Sequence, residues 1–284
     1  MRLVATFLLW LLATAALAVA VPTSWAQHDV VDRDGYSDLA ASAATDPRLQ
    51  EAVASLLASQ ITSYAADNGY ETLNPDLVGR LTTAYTQNDG FPGQFAQANR
   101  IAHAWMFTDT IQRDQNSDDR WLVDIAPMLK DSSLQATLGN LDIQVPDTLT
   151  VPITVSDSSG LRPGQLRQVA TWGPWVSIGS SVVAAVFALL TIASARSRGK
   201  ALVALGVSAL VVGAGGWAAI EVGRRYVDNA LNATAGDVRN VADAMVAHGI
   251  DSLHLWLNLT MAVGGGLVVL GVLAAVLGSF RRRD

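Results

Sequence analysis

The sequence predicts a mainly α fold, with four transmembrane helices and an exported α-rich domain that carries a minor β element. Three observations point there. First, the chain of 284 residues is 50% hydrophobic and only 15% charged, against about 25% charged in ordinary soluble domains. Second, the deficit is concentrated in four stretches without Asp, Glu, Lys or Arg, at 3–28, 168–195, 201–220 and 252–280, each able to hold the roughly 20 apolar residues that cross a bilayer as a helix. Third, the region between the first two stretches repeats apolar residues at helical spacing.

The four spans are placed near 3–22, 173–195, 201–220 and 255–278. Lys and Arg in short loops stay in the cytoplasm. Arg2 precedes the first span, Arg196, Arg198 and Lys200 fill the link between the second and third, and Arg281, Arg282 and Arg283 follow the fourth. All three sites fall on one side, which puts both termini in the cytoplasm and residues 23–171 and 221–253 outside. The expected organisation is an N-terminal transmembrane anchor at 1–22 and an extracytoplasmic domain at 23–171. A three-helix transmembrane region follows at 172–284, with an outer helical loop at 221–253. The outer region 23–171 holds nine basic and nineteen acidic residues, a balance that argues against nucleic acid as a partner. The bilayer itself and a membrane-protein partner are the partners expected. There is no cysteine, so the outer domain must be held by a packed core rather than by disulfides.

Within that domain, Asp46-Pro47 reads as an N-cap followed by a first-turn proline, and Leu49, Val53, Leu56, Leu57, Ile61 and Tyr64 follow at helical spacing. Asn74-Pro75 repeats the start signal before Leu77, Leu81, Ala84 and Tyr85. Gly90-Phe91-Pro92-Gly93 reads as a break before a third helix through Phe95, Ala98, Ala102 and Trp105. Two segments, Trp121–Ile125 and Val151–Val155, alternate at period two and are expected to pair as a small ribbon, with Pro152 suited to an edge. A short helix is expected between them from Pro127 to Gly139, and another from Leu161 to Val169. In the second outer loop, Val227, Leu231, Val238, Val241 and Met245 have near-helical spacing, with Gly249 as a stop; this segment is expected to dock on the outer domain, the alternative being to lie along the membrane surface.

Several motifs together resemble a group of actinobacterial integral membrane proteins of uncharacterised function. They are Trp25, Asp34-Gly35-Tyr36, Ala44-Thr45-Asp46-Pro47 with Val53, Phe95 with Asn99-Arg100-Ile101-Ala102-His103, Val123 through Leu129, and Asp157-Ser158-Ser159-Gly160-Leu161. Gln94-Phe95 departs from that group's Leu-Trp pair. The resemblance implies an N-terminal membrane helix, an exported domain and C-terminal membrane helices, and it implies no activity.

The most concentrated polar motif is Asn99-Arg100-Ile101-Ala102-His103. Asn99, Arg100 and His103 project from neighbouring faces of one helix, either as a ligand or partner site or as a clamp to the segments around Asp124 or Asp157. Asp32-Arg33-Asp34-Gly35 resembles the start of a calcium loop, but Val30 and Ala41 stand where an EF-hand needs acids, so it reads as a turn before a helix starting near Tyr36. There is no HExxH, GxSxG or GxxxxGK motif, and the four histidines are scattered. No catalytic residue, metal or cofactor is expected. Glu221 is expected to pair with Arg224 or Arg225 one turn on. Gly213, Gly215 and Gly216 in the third span, with Gly264, Gly265, Gly266 and Gly271 in the fourth, are expected to let membrane helices approach closely.

At the N-terminus, Ser24-Trp25-Ala26 places small residues where signal peptidase cuts. The apolar run Leu3–Val21 is longer than a signal-peptide core of about 7–15 residues, so a retained anchor is expected. These features point to a non-catalytic envelope membrane protein whose exported domain binds or stabilises another envelope component, a class that includes accessory subunits of membrane complexes. The alternative is a module that binds or delivers a lipid or other apolar ligand at the outer leaflet; an envelope-acting hydrolase ranks third.

Overall fold

The computed structural model describes residues 2–67, 74–107, 121–124, 150–153, 164, 166–231 and 236–280. In chain order the elements are α1 (Arg2–Trp25), a π-helical turn (Ala26–Val31), α2 (Arg33–Ala43), α3 (Pro47–Asp67), α4 (Pro75–Thr86) and α5 (Phe91–Phe107). Then come β1 (Trp121–Asp124), β2 (Thr150–Ile153), α6 (Arg167–Ser194), α7 (Arg198–Leu231) and α8 (Asp237–Phe280). Four helical stretches are long and apolar enough to cross a membrane: Val4–Val31, Arg167–Ser194, Arg198–Asn229 and Asp237–Leu277. The fold is mainly α, and four apolar helices of this length fit a multi-pass membrane protein.

The chain divides into two units. One comprises Met1–Asp32, Gln168–Tyr226 and Ile250–Asp284, and the other Arg33–Arg167 and Val227–Gly249. The first is the bundle of apolar helices. Hydroxyl and indole groups mark where α1 meets its neighbours: Trp10 Nε1 donates to the Ala204 carbonyl at 2.9 Å, and the Thr14 and Ser208 hydroxyls lie 2.7 Å apart. Thr6 donates to Ser194 at 3.2 Å, while Ser177 donates to Ser24 at 3.2 Å. Partner numbers on α7 rise along α1 and those on α6 fall, so α1 runs parallel to α7 and antiparallel to α6. Pro22 lies inside the helical run and removes one backbone donor. The Thr23 hydroxyl donates to the Val19 carbonyl just before the helix widens into the π turn.

The second unit packs apolar side chains into a core of its own. Asn74 caps α4, its side chain accepting from Asp76 N at 2.9 Å with Pro75 at the first helical position. The Asp46 side chain accepts from Arg48 N at 2.8 Å and starts α3 in the same way. The core gathers Ala40, Ala43 and Ala44 with Leu49, Val53, Tyr85, Phe91 and Phe95. Phe91 is 1% exposed and meets Tyr85 edge-on at 5.6 Å. Val241, Ala244 and Met245, from the start of α8, pack on this same core, and Ser55 donates to Asp237 at 2.9 Å. Residues Val227–Gly249 therefore group with the helical domain and not with the apolar helices that flank them in sequence. β1 and β2 pair antiparallel, Trp121 opposite Ile153 and Asp124 opposite Thr150.

Several boundaries differ from the sequence reading. Gly249 stops nothing: α8 runs through it for 44 residues without a break, because a single glycine costs a helix only about 1 kcal/mol. The segment 221–253 is the continuation of α7 and the start of α8, joined around Gly236, whose φ of 68° marks the turn. Gly90-Phe91-Pro92-Gly93 is a helix start, since Pro92 in the first turn needs no donor. Asp34-Gly35 is the first turn of α2 and not a loop. The expected helices Pro127–Gly139 and Leu161–Val169 fall wholly or largely outside the described residues.

Candidate functional site

The polar cluster forms where α5 packs on α2. Asn99 is held from two sides: its amide donates to the Phe95 carbonyl at 2.9 Å, and its Oδ1 accepts from the Tyr36 hydroxyl at 3.2 Å. His103 is 6% exposed and stacks on Phe107 with ring centres 4.2 Å apart, while Tyr36 covers it at 5.2 Å. Burial pushes the Tyr36 phenol above its ordinary value, because a phenolate between α2 and α5 would lose its water.

Arg100 Nη2 reaches Asp34 Oδ1 at 3.4 Å, with the aspartate side chain 78% exposed. An ion pair so exposed contributes about 0–1 kcal/mol. Arg100 Nε is buried and has no hydrogen-bond partner, and the neighbouring Ile101 is exposed. Asn99, Arg100 and His103 thus do converge, but on Tyr36 and Asp34 of α2. Asp124 lies on β1 opposite Thr150, and Asp157 lies outside the described residues. Tyr36 and Asp34 were both present in the Asp34-Gly35-Tyr36 motif; the signal missed was that α2 begins at Arg33, which puts both residues on a helix rather than in a turn.

Chemically this is a clamp with a polar surface edge. Among the described residues no three His, Cys, Asp or Glu are grouped to hold a metal.

The glycines form a second set of predicted contacts, this time between α7 and α8. A methyl group on Gly206 would stand 2.6 Å from the Gly264 carbonyl, and one on Gly264 would stand 2.8 Å from the Gly206 carbonyl. Gly199 and Gly271 oppose each other in the same way, each 2.7 Å from the other's carbonyl. A methyl group on Gly213 would meet Met261 and stand 3.3 Å from the Leu257 carbonyl, and one on Gly216 would meet the Leu257 side chain. Contact positions rise on one helix as they fall on the other, at seven-residue steps (199, 206, 213 against 271, 264, 257), as in an antiparallel knobs-into-holes seam. Gly199 and Gly206 were not expected to take part, although the seven-residue spacing from Gly213 is readable in the sequence. Gly215, Gly265 and Gly266 meet no atom within 4 Å and are not part of this seam. Among the described residues Glu221 pairs with neither Arg224 nor Arg225.

No family model, curated protein or solved structure matches this chain.

Proposed function

We propose that this chain is a non-catalytic envelope membrane protein with the architecture of the actinobacterial group it resembles. Its helical unit is exported and binds or stabilises another envelope component as an accessory subunit. The observation that carries this reading is the surface edge of the α2–α5 cluster, where the exposed Asp34–Arg100 pair borders exposed Ile101. An arginine beside apolar surface is the composition that protein interfaces favour. Co-purification of the full chain in mild detergent tests it. A stoichiometric partner that is lost on Arg100→Glu with Ile101→Asp supports the reading; a lone monodisperse chain in every detergent refutes it.

The proposed topology has both termini cytoplasmic, with 23–171 and 221–253 outside and the first helix retained as an anchor. The parallel course of α1 and α7 supports the topology. The hydrogen bonds from Trp10, Thr14 and Ser24 into α6 and α7 support retention, since cleavage after Ala26 would strip them from a membrane interior. The cysteine-free chain allows a direct test with single cysteines and an impermeant maleimide. Asp89→Cys labels on intact cells and Arg283→Cys does not; the reverse pattern, or a mature N-terminus at Gln27, overturns the assignment.

A further inference from the structure

The outer halves of α7 and α8 hold polar groups whose capacity the bundle uses only in part, His254 Nδ1 lying 4.0 Å from Asp251 Oδ1. Trp217 Nε1 donates to Asn258 Oδ1 at 3.3 Å, which leaves the two N–H donors of the Asn258 carboxamide without a partner among the described residues. His254 stacks flat on Trp217, with ring centres 3.7 Å apart and planes 8° from parallel. Trp217 is 43% exposed and Asn258 is exposed as well. About a quarter-turn around α8 lie exposed Leu255, level with His254, and Leu259, level with Asn258, with Val263 about 7 Å deeper along the axis. Above them, Arg224 shares the Trp217 face of α7 two turns on, about 10 Å along the axis, and neither it nor Arg225 has a carboxylate partner among the described residues.

If α8 spans the bilayer, Asn258 lies one turn inside the hydrocarbon and faces lipid. An amide with unmet donors is costly there, and a tryptophan belt alone does not account for it. Glu221 and Asp251 lie near these faces, so the patch is not simply cationic: it has directed donors with arginines above and an apolar track beside them. We infer that this face binds one phospholipid of the outer leaflet. Asn258 and His254 reach its ester and phosphate oxygens, Arg224 and Arg225 pair with the phosphate, and the acyl chains lie along Leu255, Leu259 and Val263. Acceptor oxygens joined to two hydrocarbon chains are the chemistry that complements donors flanked by exposed leucines.

This inference rests on the membrane-spanning reading. That reading is checked separately, by whether carbonate at high pH leaves the chain in the membrane pellet. The site itself is tested by native mass spectrometry of the full chain in mild detergent, with added phosphatidylglycerol or with diacylglycerol of the same acyl chains. Phosphatidylglycerol is retained and diacylglycerol is not. Retention falls about tenfold in Arg224→Ala/Arg225→Ala and falls again in Asn258→Leu. It is unchanged in a triple Ala variant of Arg281, Arg282 and Arg283 at the opposite end. All these variants keep wild-type helicity by circular dichroism, and Arg224→Lys/Arg225→Lys restores part of the binding. Equal retention by wild type and Asn258→Leu, equal loss in the triple variant, or a lipid-free dimer abolished by Asn258→Leu would each overturn it.

Discussion

The two units are both helical, yet they are packed by different means. In the helical domain, Phe91, Phe95, Tyr85 and Leu49 fill a core, and removing their surface from water supplies the drive at about 25 cal/mol per Å². In the apolar bundle the small core of Val21, Val212 and Leu257 is accompanied by close backbone approaches, Gly206 against Gly264 and Gly199 against Gly271. Short hydroxyl bonds such as Thr14 to Ser208 accompany them. Meanwhile Phe7, Leu8, Leu189 and Leu255 stay exposed. Lipid tails are as apolar as leucine, so burying leucine gains little there; close approach and hydrogen bonds are what remain. The same residue type is a stabiliser in one unit and a solvent-facing surface in the other.

The sharpest way to break this contrast is a cavity in the core. Phe91→Ala is expected to cost about 3–5 kcal/mol, read as a loss of thermal stability of the helical unit in the detergent-solubilised chain. A truncation of lipid-facing Leu259 is expected to cost well under 1 kcal/mol. Equal effects would erase the distinction between the two units. Next in size is Gly264→Val, which drives a branched side chain into the Gly206 carbonyl and is expected to cost about 1–3 kcal/mol. Gly265→Val, one residue away with open space around it, is the matched control and should be nearly neutral.

Tyr36→Phe is expected to cost about 1 kcal/mol at neutral pH through the lost bond to Asn99. Its pH dependence has a definite sign. The folded phenol titrates above its ordinary value of 10.0, so the native state holds its proton more tightly than the unfolded chain does. That stability is fully present below about pH 10 and is lost as pH rises from there through the folded value. Alkaline melts should therefore show a steeper loss in wild type than in Tyr36→Phe; parallel curves would place the phenol in water. The smallest effect expected is Thr14→Val, about 0.6 kcal/mol for one interhelical hydroxyl bond in a bundle of this kind. Comparison with Ser208→Ala and the double variant isolates the pair, and independent additive effects would remove the bond from the account.

Much of this was legible one segment at a time. Charge-free length was enough to locate four apolar helices, and Asn74-Pro75 and Asp46-Pro47 announced the starts of α4 and α3 because capping chemistry is local. Helix ends were harder. Gly249 and Gly90-Phe91-Pro92-Gly93 carry residues that break helices in water-exposed loops. A helix already supported by packing on the Phe91 core absorbs the penalty of one glycine, and a proline in the first turn carries none. The polar cluster was legible as Asn99, Arg100 and His103 on one helix, but its partners were not: carboxylates elsewhere in the chain are equally available to sequence reasoning, and only the packing of α2 on α5 selects Asp34 and Tyr36.

By itself, then, the sequence determined what depends on composition and on neighbours a few residues apart: the apolar helices, the capped helix starts, and the absence of cysteine that leaves the domain to its core. Tertiary structure alone decided what depends on which helix faces which. It made Gly206 and Gly264 a contact while leaving Gly265 and Gly266 open, and it drew Val241, Ala244 and Met245 into the core of the helical unit. It also left the Asn258 amide facing outward. The reason is geometric: a helix repeats every 3.6 residues, so sequence fixes which residues share a face, but the partner for that face is chosen by long-range packing that no local pattern encodes.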